Sequence, residues 1–297
     1  MNQQQFIRSL SNEQRRSLTQ KSDAAGYGYL ATHGGAIVVL GVLISQQVPL
    51  WPLLMLPQGI LIVFLFTLLH ETAHRTPFAT AIVNDRVGAV CGFLLALPPE
   101  WFRCFHFAHH RYTQDPEKDP ELASAKPSTL GQYLLHISGL PIWLSHFKTL
   151  FHNARGLCEV AYVPQPKRAR VRSEALRMLG LYLLVFVVCV IFHWHVLLYV
   201  WLIPVLLGQP FLRLYLLAEH GRCAFGANIY DNTRTTFSNK LVRRLAWNMP
   251  YHTEHHAFPS VPFFRLKTLH NIMQNDLQQT EPGYAAFNLI YLKSLFR

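Results

Sequence analysis

Four apolar stretches, each long enough to cross a bilayer, constrain this chain more than any other feature. They lie at about 29–47, 50–70, 175–193 and 197–217. A membrane-crossing helix needs about 20 mostly apolar residues. Inside lipid every backbone N–H and C=O must be paired within the segment, so segments of this length read as helices. The first two stretches are separated by a few residues around Gln46, Gln47 and Pro49, the last two by His193-Trp194-His195. Each pair therefore reads as a tight hairpin. With 14% charged and 51% hydrophobic residues in 297, the expected fold is an all-α integral membrane protein with four transmembrane helices in two hairpins.

Charge sets the expected orientation. The net charge is +11, and none of the 27 Lys and Arg residues falls in either short connection. They gather in the N-terminal arm (1–27), between the hairpins, and beyond the fourth span. Under the positive-inside rule both termini and the middle segment face the cytoplasm. The same rule accounts for the basic balance without nucleic acid. Five cysteines with no CxxC pair suggest neither a disulfide framework nor a zinc ribbon.

Shorter signals fill in the remainder. Ser11-Asn12-Glu13-Gln14 fits a capping box that opens a short surface helix. Residues 87–98 are apolar but too short to span, and read as a buried or re-entrant helix. Residues 128–152 read as an interfacial amphipathic helix broken at Gly139 and Pro141. Residues 115–121 form a proline-punctuated acidic loop.

Sixteen histidines are the compositional excess. His106, His109 and His110 sit at i, i+3 and i+4, and so do His252, His255 and His256; on a helix such offsets share one face. His70 and His74 sit at i and i+4. His220 is a lone histidine that completes the set. The expected orientation brings all of them to the cytoplasmic membrane face as a histidine-rich helical cap. Nitrogen ligands suit Fe, Zn, Cu or Ni, and the number of imidazoles exceeds what one tetrahedral ion uses. His33, His136, His146, His152, His193, His195 and His270 read as surface or packed residues. A competing reading takes His70-Glu71-Thr72-Ala73-His74 as an HExxH motif, with two zinc-binding histidines and a glutamate base. That would make an intramembrane zinc metalloprotease, which leaves the other two clusters unexplained.

Taken in order, these boxes resemble those of the membrane fatty acid desaturase/hydroxylase superfamily. The flanks are similar too: His109-His110-Arg111-Tyr112-Thr113-Gln114-Asp115-Pro116-Glu117, Asn248-Met249-Pro250-Tyr251 and Phe258-Pro259-Ser260-Val261-Pro262. The resemblance covers about residues 28–270 and treats 1–297 as a single domain. It implies a non-haem diiron centre held by His70, His74, His106, His109, His110, His220, His252, His255 and His256, with no catalytic residue beyond the metal. Asn248 is a candidate for a water-mediated metal contact or, equally, a turn residue. Glu71, Glu219 and Glu254 adjoin ligands, as orienting partners or as solvated groups.

The chemistry implied is reductive activation of O2 at two Fe2+ ions and removal of hydrogen from an unactivated C–H bond of a lipid. A second removal gives a double bond; oxygen rebound gives an alcohol. Desaturation of a fatty-acyl or related chain is the expected activity, and hydroxylation or ketolation of a hydrocarbon or carotenoid the alternative. The chain carries no haem, flavin or iron–sulfur motif, so electrons come from a separate ferredoxin or cytochrome. The implied location is the bacterial inner membrane, or alternatively the endoplasmic reticulum.

Overall fold

A computed structural model describes residues 1–296. Its regular structure is helical, apart from one two-residue parallel ladder pairing Thr235–Thr236 with Thr280–Glu281. Four segments have the length and apolarity to cross a membrane. The first is α3 (Asp23–Ser45), which continues α2 (Asn12–Thr19). The second is α4 (Trp51–His74), the third α9 (Gln165–Ile191), and the fourth α10 (Ile203–His220) with the π turn that precedes it. Against the expected stretches, α3 and α9 begin six and ten residues earlier and end two residues sooner, whereas α4 and the fourth span run four and three residues further, into polar residues that include His74 and His220.

Spans two and four form the centre. Half of the second span and 39% of the fourth are buried, against 11% for each of the other two. Their crossing depends on two facing glycines. A Cβ on Gly59 would lie 1.8 Å from the Pro204 carbonyl oxygen, and one on Gly208 would lie 2.2 Å from the Gly59 carbonyl carbon. Small residues let membrane helices approach this closely. Pro204 has no N–H to give the Val200 carbonyl. Gln58 on the facing helix donates its amide to that carbonyl at 3.0 Å, so the π turn at Leu198–Leu202 leaves this acceptor satisfied inside the apolar layer.

Span one packs on span two, whereas span three leans on α8 (Leu140–Ala154) and on α6 (Pro99–Tyr112). An apolar crevice of about 760 Å³ lies between spans three and four, lined by residues such as Trp143, Tyr182, Trp194 and Leu198. The short apolar stretch forms α5 (Ala81–Leu94), which meets α6 at a 99° bend. The amphipathic stretch forms α7 (Leu130–Ser138) and α8, broken where Gly139 takes a left-handed conformation (φ 71°).

The arm is more than a surface helix. Ser11 makes the expected capping box with Gln14, and Asn2 makes another with Gln5 at the start of α1 (Gln3–Ser9). Phe6, Leu10 and Leu18 are buried in the main core. Gln3 donates to the His256 carbonyl at 2.8 Å, which ties the arm to the third histidine cluster.

Candidate metal centre

Four elements bring the histidines together. His70 and His74 stand on the last turns of α4, and His106, His109 and His110 on the last turns of α6. His220 ends α10; His252, His255 and His256 lie on α12 (His252–Ala257), a six-residue helix that is wholly buried. Arg103, one turn before His106, donates to the Thr72 and Ala73 carbonyls at the end of α4 and to Asp85. It links the helix of the first cluster to that of the second.

The donor nitrogens fall into two groups. Those of His70, His106, His110 and His255 lie within 4.8 Å of one another, as do those of His109, His220 and His256. His74 joins the first group, its Nε2 2.7 Å from that of His106. His252 joins the second, its Nε2 3.1 Å from that of His220. Further Nε2–Nε2 separations are 3.0 Å for His106 and His110, 3.1 Å for His110 and His255, and 3.2 Å for His109 and His220. All nine histidines of the sequence reading are thus gathered, five and four.

These residues fit a pair of metal ions. A metal–imidazole bond of about 2.0–2.1 Å puts donors at right angles about 3.0 Å apart and tetrahedral donors about 3.4 Å apart. Four of the five Nε2 separations, 3.0–3.2 Å, fall in that spacing, and the 2.7 Å of His74 and His106 is shorter. Both ring nitrogens of buried His70 lack a protein partner, as does Nε2 of His256. Burial, reinforced by neighbouring imidazoles, holds His252, His255 and His256 well below the ordinary imidazole pKa. They are neutral, with a lone pair available.

Behind the imidazoles lies a layer of acceptors. His109 Nδ1 is 2.9 Å from Asp119, and His220 Nδ1 is 3.1 Å from the Asn232 carbonyl. Each Nδ1–H donates there, which directs the Nε2 lone pair inward. Thr113 Oγ1 lies 3.1 Å from His256 Nδ1. Glu71 is fully buried; its Oε1 is 3.4 Å from His255 Nδ1 while Oε2 accepts from Thr76 and from the Phe263 N–H. Glu219 lies 3.5 Å from His252 Nδ1. Of the three glutamates that adjoin clustered histidines in sequence, these two face histidines of the clusters, whereas Glu254 meets His270 at 2.5 Å and accepts from Thr235.

Asn248 has a left-handed backbone (φ 58°), and its amide donates to the Phe263 carbonyl at 3.2 Å and to Tyr29 at 3.4 Å. Both bonds come from the amide nitrogen. His33, given no function from sequence, uses both ring nitrogens, one against the Leu61 carbonyl and one accepting from Trp247. Asp119 and Glu121 were visible in sequence only as part of an acidic loop. Their signal was that the loop directly follows a helix ending in histidines. Asn232 and Thr113 carried no comparable signal.

Comparison with known proteins agrees with this geometry. The family described as fatty acid desaturase matches residues 46–288. A dihydrorhizobitoxine desaturase of Bradyrhizobium elkanii is 30% identical over 261 residues, which cover 80% of this chain and 70% of the relative. A sphingolipid delta(4)-desaturase of Drosophila melanogaster is 25% identical over 241 residues, covering 78% and 68%.

Proposed function

The chain belongs to the fatty acid desaturase family, and from that premise we propose that it is an O2-dependent diiron membrane oxidoreductase that desaturates a fatty-acyl or related lipid chain. The observation that carries the reading is the convergence of nine imidazoles into a group of five and a group of four. The relatives named above are both called desaturases although their names give different substrates. This favours a double bond over an inserted oxygen and leaves the substrate class open.

Iron bound at the two groups would supply the redox chemistry with O2 that removal of two hydrogens from an unactivated C–C bond requires. The balance is one lipid CH2–CH2 unit, one O2, two electrons and two protons, giving CH=CH and two waters. The histidines hold the ions, and Asp119 and the Asn232 carbonyl fix the inward-facing tautomers. The buried setting keeps bulk water from the reacting carbons. The electrons come from a separate ferredoxin- or cytochrome-type donor on the cytoplasmic side; the basic arm and middle segment support that orientation of the histidine face. The membrane is that of a bacterial inner membrane in this reading. The protease alternative is disfavoured by the place of Glu71: Oε2 accepts from Thr76 and Phe263, and Oε1 faces a histidine of the third cluster, which that reading leaves unused.

Lipid mass spectrometry of expressing cells tests the activity. Wild type should yield a lipid lighter by two hydrogens, and His255→Ala should yield none. A product heavier by one oxygen would assign hydroxylation instead. Protein purified in mild detergent should carry about two irons per chain; a fully active sample with a single zinc would overturn the diiron reading.

A further inference from the structure

Four carboxylates approach the clustered histidines, and their positions differ in kind. Glu71, Glu219 and Asp119 each stand behind a ring, at Nδ1 of His255, His252 and His109. Glu121 stands in front. Its Oε2 lies 3.4 Å from Nε2 of His109, the nitrogen that also faces Nε2 of His220 at 3.2 Å. Among the described residues it is the one carboxylate on the inward side of a clustered imidazole. We propose that Glu121 is itself a metal ligand, the oxygen donor of the four-histidine half of the site. This inference rests on the two-metal reading above.

Three physical points support it. With Nδ1 turned to Asp119, Nε2 is the nitrogen of His109 that faces both His220 and Glu121, so an ion held at that point would be met by all three side chains. The 3.4 Å spacing is that of two donors at the tetrahedral angle of one ion, given a bond of about 2.0–2.1 Å. The second point is the donor count. The two groups hold five and four imidazoles, and Glu121 gives the smaller group a fifth donor. It joins His109 by one close approach, as His252 joins His220. The third point is charge. Two divalent ions among neutral imidazoles keep their full charge in a buried site, and a carboxylate donor lowers it.

The local chain is built to hold the group. Asp119 caps the short helix Pro120–Ala123 and accepts from the N–H groups of Glu121 at 3.0 Å and Gln114 at 2.8 Å. One carboxylate therefore fixes both the His109 ring and the turn that carries Glu121. Lys126 meets Glu121 at Oε1, at 2.7 Å, which leaves Oε2 directed at the histidines.

The test compares wild type, Glu121→Gln, Glu121→His and Lys126→Met, purified in mild detergent. The readouts are iron per chain after a graded chelator challenge and the Mössbauer spectrum of the anaerobic ferrous protein. Glu121→Gln keeps the shape and loses the strong donor. It should release one of the two irons at a chelator concentration lower by about 10–100-fold, while the other iron keeps its spectrum. Glu121→His restores a donor that does not pair with Lys126, and should recover the second iron with an altered spectrum. Both irons retained in Glu121→Gln with the wild-type spectrum would overturn the proposal and leave the two-metal reading intact. It would equally be overturned if Glu121→His stayed as iron-poor as Glu121→Gln while Lys126→Met lost iron to the same extent, since the carboxylate would then matter only as the lysine's partner. Should Glu121→Gln not fold, the spectrum of Glu121→His decides: one shifted iron supports ligation, and an unchanged pair refutes it. Wild type with a single ion would defeat the parent reading itself.

Discussion

Glu71 follows His70 in the chain but faces His255, on a helix 181 positions further along by first residue (His252 against Glu71). Its roles separate the two enzyme classes. In a zinc protease the carboxylate activates water, and Glu71→Gln abolishes turnover with metal still bound. Here one oxygen sits behind His255 and the other accepts from Thr76 and Phe263. The Gln carbonyl oxygen can still accept both of those bonds, and the substitution turns the oxygen facing His255 into an amide NH2. Losing such an orienting partner typically reduces activity or metal affinity about 10–100-fold. Glu71→Gln is therefore expected to retain measurable O2-dependent activity, and His255→Ala to lose it. A dead Glu71→Gln beside an active His255→Ala would reverse the assignment. The histidines were legible in sequence because i, i+3 and i+4 spacing encodes a shared helix face. Their supporting partners were not. Asp119 reaches His109 across a turn, and Asn232 reaches His220 through a backbone carbonyl, which no side-chain pattern announces.

Helices are legible where their own residues decide them. The apolar lengths of spans one to four, the break at Gly139 and the cap at Ser11 each have a local cause, and each appears in the structure. Features set by two elements together were not readable. The 99° bend between α5 and α6 needs both helices to be placed. The Gln58 amide that answers the Val200 carbonyl is 142 positions away in sequence. The glycine crossing is of the same kind, and it yields a prediction. Gly208→Ala puts a methyl group into the Gly59 backbone, so spans two and four must part. Overpacking of this kind destabilises by about 1–3 kcal/mol. Spans two and four end in His74 and His220, so parting them should also loosen metal retention. Thermal unfolding in detergent should show a lower midpoint for Gly208→Ala, together with easier iron loss to chelator. Gly35→Ala, whose added methyl meets nothing within 4 Å, should match wild type in both. Equal midpoints for the two variants would mean that the crossing is not held by this contact.

At the scale of the molecule, a shared site requires that all the histidine clusters reach one membrane face. α4 and α10 deliver histidines from their C-terminal ends, α6 lies between spans two and three in sequence, and α12 follows span four. These can share a site only if the chain crosses the bilayer twice between the first and third clusters and returns to the side it left. The charge pattern states the same requirement independently, because the connections around Gln47 and His195 contain no Lys or Arg. Single cysteines placed at Gln47, His195, Asp115 and Ser260 test it, labelled from each side of sealed vesicles against the background of the native thiols. Four of the five native cysteines are buried, and Cys189 is half-buried. Gln47 and His195 should react with an impermeant reagent from outside, and Asp115 and Ser260 only from the cytoplasmic side. Asp115 follows the second cluster in the loop that carries Asp119, and Ser260 follows the third. If those two positions react from opposite sides, His110 and His255 cannot stand 3.1 Å apart, Nε2 to Nε2, and the two-metal reading fails with the topology.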